Sequence, residues 1–240
     1  MRLHAVLLAA ALFGSSAASG QDEPAAVSVG SQEIVVTGSR VNVDGYSAQT
    51  PAVGLKKVAD FAIQPVAVTG DTREADLRHE EMYQTIRRAI ELANSHGVQL
   101  AFGELVVEPL TLANYRDLTL GADSRPDTNR VELLVKAPLS GVDAREATQR
   151  IERFIKAVKP VGRALIVHND DLSLSVVAPD QYRPEIARII AADAAAMAAK
   201  FGPDYAVEVR GLNRPVDWSR ASLTEVFLFI PYELVIRPKG

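Results

Sequence analysis

Residues 183–237 read RPEIARIIAADAAAMAAKFGPDYAVEVRGLNRPVDWSRASLTEVFLFIPYELVIR, and they set the fold class. The first part predicts a long helix. Pro184 suits a first helical turn, and Gly202 followed by Pro203 forms a stop. Ile186, Ile189, Ile190, Ala194, Met197 and Phe201 recur at helical spacing and make one apolar stripe. The last part, Thr224 to Arg237, predicts a long final strand. Its even positions Val226, Leu228, Ile230, Tyr232, Leu234 and Ile236 are all apolar, so that face is expected to be buried. A helix packed on strands is a scaffold signal and carries no chemistry.

Working outward, Tyr205, Val207 and Val209 predict a strand, and residues 211–221 a loop holding the lone tryptophan, Trp218. Before the helix, Arg163–His168 and Leu172–Ala178 predict two strands joined in a tight hairpin at Asn169-Asp170. Val131–Leu139 alternates Val131, Leu133, Val135, Ala137 and Leu139 on one face. It leads through an Asp143/Glu146 capping box into a helix burying Ala147, Ile151, Phe154, Ile155 and Val158. Upstream, Asp71 with Glu74 repeats the capping pattern ahead of a helix carrying Ala75, Met82, Tyr83, Ile86, Ile90 and Ala93 inward and stopping at Gly97. A short strand with Leu105 and Val107 follows. Phe61 and Ile63 share one parity and Val66 and Val68 the other. That slip at Gln64-Pro65 predicts a bulged edge strand.

The order of elements predicts an α+β protein, with antiparallel sheets and helices packed on one face in two layers. Two subdomains are expected, with 131–178 as an inserted unit in a folded body spanning 55–240.

The chain of 240 residues opens with Arg2, nine apolar residues from Ala5 to Phe13, and small residues through Gly20. This is the layout of an export signal cleaved near Gly20. Nine residues fall far short of the roughly 20 needed to span a bilayer, and no membrane span is expected. There is no cysteine, which excludes disulfides, thiolate metal sites and a thiol nucleophile, and fits a periplasmic protein. With 26 basic and 30 acidic residues the formal charge is −4, and without Arg2 it is −5. That acidity argues against nucleic acid as a partner.

Residues 21–54 have few large apolar side chains and predict a flexible tail. One run stands out, Glu33-Ile-Val-Val-Thr-Gly-Ser-Arg-Val41, read by itself as a loose strand on the domain's flank. It resembles the N-terminal segment of TonB-dependent outer-membrane receptors, whose tails add a strand to the energy-transducing protein TonB. The 199 residues after Val41 are too few for a 22-stranded barrel with its plug, so a receptor is not expected. Ile34, Val35 and Val36 are candidate contacts with a TonB-type partner.

Motifs of catalysis are incomplete. His79-Glu80 resembles H-E-x-x-H, but position 83 is Tyr. His168 with Asp170 and Asp171 offers few metal ligands, and Asn169-Asp170 is equally a turn. No P-loop, G-x-G-x-x-G or G-x-S-x-G occurs. No cofactor is expected. The charged loop within 109–130, with Asp123, Arg125, Asp127 and Arg130, is the place left for an unrecognised enzyme site. Arg73, Arg78, Arg87 and Arg88 set against Glu74, Glu80, Glu81 and Glu91 predict solvent faces.

Across Lys57 to Arg237 the chain resembles the SIMPL-domain family of bacterial periplasmic proteins. The resemblance rests on the export signal, an early strand passing into a capped helix, and the strand–helix–hairpin of Val131–Ala178. It also rests on the Ala-rich helix with Ala191-Ala192-Asp193-Ala194 and Met197-Ala198-Ala199-Lys200, and on the alternating final strand. It departs in the first strand, where valine-rich alternation is usual. The resemblance implies a two-part α+β fold, residence in the periplasm or outer envelope, oligomerisation, and a loose link to stress tolerance with no enzymatic chemistry. The expected interaction surfaces are sheet edges at Phe61, Ile63 and the final strand, together with Trp218.

Overall fold

The computed structural model describes residues 33–36, 50–103, 107–169 and 171–240. The expected export signal, most of the tail, Leu105 and Asp170 lie outside them. In chain order the elements are β1 (Glu33–Val36), β2 (Leu55–Val58), β3 (Phe61–Gly70), α1 (Ala75–Ala93), β4 (Gln99–Phe102), β5 (Glu108–Pro109), β6 (Gly121–Ala122), β7 (Asn129–Pro138), α2 (Ala144–Ala157), β8 (Leu165–His168), β9 (Ser173–Val177), α3 (Arg183–Phe201), β10 (Tyr205–Arg210), β11 (Asp217–Arg220), β12 (Glu225–Phe229) and β13 (Glu233–Pro238).

The chain is α+β, as its pattern predicts, and every described strand pair is antiparallel. The main sheet runs β1-β9-β3-β7-β4-β5, with β6 on β7 and β8 on β3. Its spine is the β3–β7 ladder, from Phe61 opposite Pro138 to Gly70 opposite Asn129. The alternation of β7 places Val131, Leu133, Val135 and Ala137 in the core. Helices α1 and α2 pack on this sheet and add Met82, Ile86, Ala89, Ala147, Ile151 and Phe154 to the same core. Residues 131–178 supply β7, α2, β8 and β9 to the sheet that also holds β3 and β4. The inserted unit thus shares its sheet with the rest.

The C-terminal part has two smaller sheets, β11-β12-β2 and the ribbon β10-β13, with α3 packed on β10. Ile186 and Ile190 of α3 and Val226, Leu228 and Ile230 join the common core. Asp60 welds the parts where the chain passes from β2 to β3. Its N–H donates to Ser175 O (2.9 Å) and its carbonyl accepts from Leu139 N (3.0 Å). Its carboxylate accepts from Val177 N (2.8 Å) and Lys57 Nζ (2.8 Å). Burial pulls the Lys57 ammonium down, but the bonds to Asp60 and Tyr182 outweigh it and hold the group above its usual range.

Several expectations are corrected. β3 is no edge: it lies between β7 and the β8/β9 side, and Ile63 is fully buried. Nor is β3 bulged: it pairs one-to-one with β7 through Gln64 and Pro65, and the irregularity belongs to the strand on its other side. His168 faces Val66 and Ser173 faces Ile63, so residues 169–172 stand opposite only Gln64 and Pro65. Within a strand, N–H and C=O of one residue point to the same side. Pro65 O accepts from Asn169 N (3.2 Å), so the donor that proline lacks falls where the neighbouring strand is interrupted. For the same reason β8 and β9 form no hairpin. They run on in one direction along β3.

Asp71 does not cap α1. The N-cap is Glu74, with no side-chain bond, and Asp71 is gripped through both oxygens by the Arg163 guanidinium (2.6 and 2.8 Å). Asp143 does cap α2, accepting from Glu146 N (2.8 Å). Ala75 is exposed, whereas Arg78, expected in solvent, is buried. The final strand breaks at Pro231 between two sheets. Val226, Leu228 and Ile230 are fully buried, but Tyr232, Leu234 and Ile236 only half so. Met197 and Phe201, expected inside, are exposed.

Gly162 sits in left-handed backbone (φ 55°), and a Cβ there would lie 2.0 Å from Glu81 Oε1. The Glu81 carboxylate cannot move freely, since it accepts from Thr72 Oγ1 (2.5 Å) and Arg163 N (3.1 Å). Gly162→Ala is expected to lower the unfolding free energy by about 1–3 kcal/mol. An unchanged midpoint in urea denaturation would contradict this.

Candidate functional site

β1 pairs with β9 from Glu33 opposite Val177 to Val36 opposite Leu174. Far from lying loose on the flank, this piece of the tail ends the main sheet. Ile34 stands opposite Val176 and Val35 opposite Ser175. Ser175 is also opposite Phe61, so Val35, Ser175 and Phe61 form one row across three strands.

A charged clasp reaches diagonally onto this row, from Glu33 opposite Val177 and Lys136 opposite Ile63. The Glu33 carboxylate accepts from Ser175 Oγ (2.5 Å) and forms an ion pair with Lys136 Nζ. Lys136 belongs to β7, on the far side of β3 from β9. Its ammonium lies 4.2 Å from the centroid of the Phe61 ring, so the side chain crosses β3 to reach β1. The long aliphatic stem makes that reach, and the ring face favours the cation. Both charged side chains are largely shielded, 7% and 12% exposed. A pair so buried is costly to open, because either charge left alone is stranded in a poor solvent. Glu33 is the only ion-pair partner of Lys136 among the described residues.

Of the expected interaction residues, β1 and Phe61 therefore meet at one place. Ile63 lies beneath the same region, fully buried and unavailable to a partner. Trp218 is half-buried on β11, a strand that passes beside β1. It lines a cleft of about 410 Å³ with Pro179, Arg214, Pro215, Val216, Asp217 and Pro231.

The 109–130 loop is tied down by α1. His79 Nε2 is 3.2 Å from Asn129 Oδ1, and Tyr83 donates its hydroxyl to Leu118 O (2.9 Å). Glu80 pairs with Arg116 (3.0 Å), and hydrogen bonds from Gln84 and Arg116 hold its carboxyl below the usual range. The Arg163 fork does the same for Asp71. Arg78 Nε donates to Asn129 Oδ1 (2.6 Å) and its NH1 to Thr72 O (2.6 Å). Asn129 in turn donates to Leu120 O and Gly121 O (both 3.1 Å). His79, Glu80 and Tyr83 thus position a loop. Asp123 accepts from its neighbour Ser124 N (2.7 Å), an ordinary turn bond. Among the described residues no three His, Cys, Asp or Glu gather closely enough to hold a metal ion.

Glu33, Lys136, Ser175, Arg78 and Asn129 escape sequence reasoning. Lys136 occupies an even position on β7, where alternation predicts solvent. Its one signal is a lysine amid apolar residues near a strand's end. No protein-family model, curated protein or solved structure matches the chain.

Proposed function

We propose that this is a non-enzymatic periplasmic protein of the SIMPL type, acting by binding or self-assembly through strand pairing in envelope stress tolerance. The observation that carries this reading is β1 itself. The edge of β9 accepts an extended segment by backbone pairing, and Lys136 and Ser175 clasp its first side chain. Recognition by an added strand takes its affinity from the main chain and its specificity from such fixed contacts.

A TonB-linked role through the same tail meets an obstacle. Glu33–Val36 is already paired with β9, so docking elsewhere must first open that ladder and the Glu33–Lys136 pair.

The test is the mass in solution of the mature chain, by light scattering on a size-exclusion column, with and without residues 21–54. The full mature chain is expected as a defined oligomer. A monomer in both forms across micromolar to millimolar concentrations overturns the assembly reading.

A further inference from the structure

β13 pairs with β10 on one side and with no described strand on the other. Its core, Glu233-Leu234-Val235-Ile236-Arg237, is self-complementary about Val235. Two such strands set antiparallel, Val235 against Val235, place Leu234 opposite Ile236 and Glu233 opposite Arg237, each pair occurring twice. In an antiparallel ladder directly opposed residues share a face, and opposite charges there stabilise. We propose that a second copy of this chain pairs along β13 in this register. Two β10-β13 ribbons then become one four-stranded sheet about a two-fold axis.

Three features of the single chain favour this occupant. The edge is thinly protected: within 233–237 there is no proline, lysine or glycine, Pro238 comes only at the end, and its two charges, Glu233 and Arg237, are of opposite sign and so can pair across a two-fold. The charges are held only loosely. Glu233 faces Arg210 in its own ribbon and attracts it without a close ion pair, and the Arg237–Glu208 ion pair (3.3 Å) is solvent-exposed. Apolar surface is also left over. Leu234 and Ile236, opposite Val209 and Val207, are half-exposed, while Met197 and Phe201 of α3 and Tyr205 at the start of β10 are 39%, 53% and 38% exposed. A two-fold axis normal to the sheet keeps both copies of α3 on one face. That gives the two-helix, four-strand layer typical of α+β folds. The isolated ribbon is short of such a layer, since two strands alone are marginal.

This deepens the assembly reading by naming the partner and the register. The experiment is sedimentation velocity over micromolar to millimolar concentrations on the mature chain, Glu233→Arg, Arg237→Glu and the double exchange. Either single change sets like charges opposite each other twice and is expected to weaken association about tenfold or more. The double exchange restores opposite charges and is expected to restore association. Both positions are exposed, and matching melting temperatures identify folded variants. Single variants that associate as the wild type overturn the proposal, as does a double exchange no better than the singles. Assembly lost only on removing residues 21–54 would retain the assembly reading and reject this register.

Discussion

Glu33→Ala is expected to destabilise the protein by about 3 kcal/mol, because it strands the Lys136 ammonium among apolar groups. The figure has a natural ceiling. β1 is only four residues long, and once it peels from β9 the lysine regains water. The loss therefore cannot exceed the free energy that holds β1 in place. Lys136→Met tests the other half by leaving the carboxylate with Ser175 alone. Combining Glu33→Gln with Lys136→Met removes both charges at similar volume and is expected to return near the wild type. Guanidinium denaturation compares the four proteins, with Glu33→Gln added as the single variant that closes the cycle, and hydrogen exchange at residues 33–36 reports whether the strand has left. A Glu33→Ala protein with unchanged stability and a protected β1 would mean that the clasp contributes nothing.

Phe154→Ala is expected to cost about 3–5 kcal/mol. Phe154 is fully buried on α2, between the helix and the sheet, with the His96 ring at 6.0 Å in an edge-on arrangement. Removing the ring leaves a void that α2 cannot close without abandoning Ala147 and Ile151, both buried on the same face. For a chain of this size the melting temperature should fall by about 10 °C. A fall of less than about 3 °C would show that the layers collapse around the void and that the core is loosely packed.

What was legible in the sequence was whatever depends on period. The helices at 75–93, 144–157 and 183–201 and the odd face of β7 follow from spacing, because a buried stripe needs apolar residues at every turn or every second residue. What failed to show depends on neighbours remote in the chain. Gln64-Pro65 announces an irregularity, yet only pairing reveals that the strand opposite is the one that yields. Asp71 has the right spacing for a cap, but the Arg163 fork, ninety-two residues on, holds it instead. Lys136 and Glu33 are 103 residues apart, and neither is unusual until the sheet brings them together. The candidate site was half visible. The tail run and Phe61 stand out by their β-prone, apolar character, while the charges that join them do not.

The pairing of β2 with β12 also orders events in time. Leu55 lies against Leu228 and Val58 against Glu225, so almost the first strand of the body completes a sheet with almost the last. Closing so large a loop is entropically slow, and contacts of this separation retard folding. A chain emerging from the ribosome can build helices α1 and α2 early. It cannot seal Leu228 and Ile230 into the core until nearly all of it has been made. Until then the core surface that Val226, Leu228 and Ile230 will cover, Leu55 included, stays open to any binder that keeps an unfinished chain from aggregating.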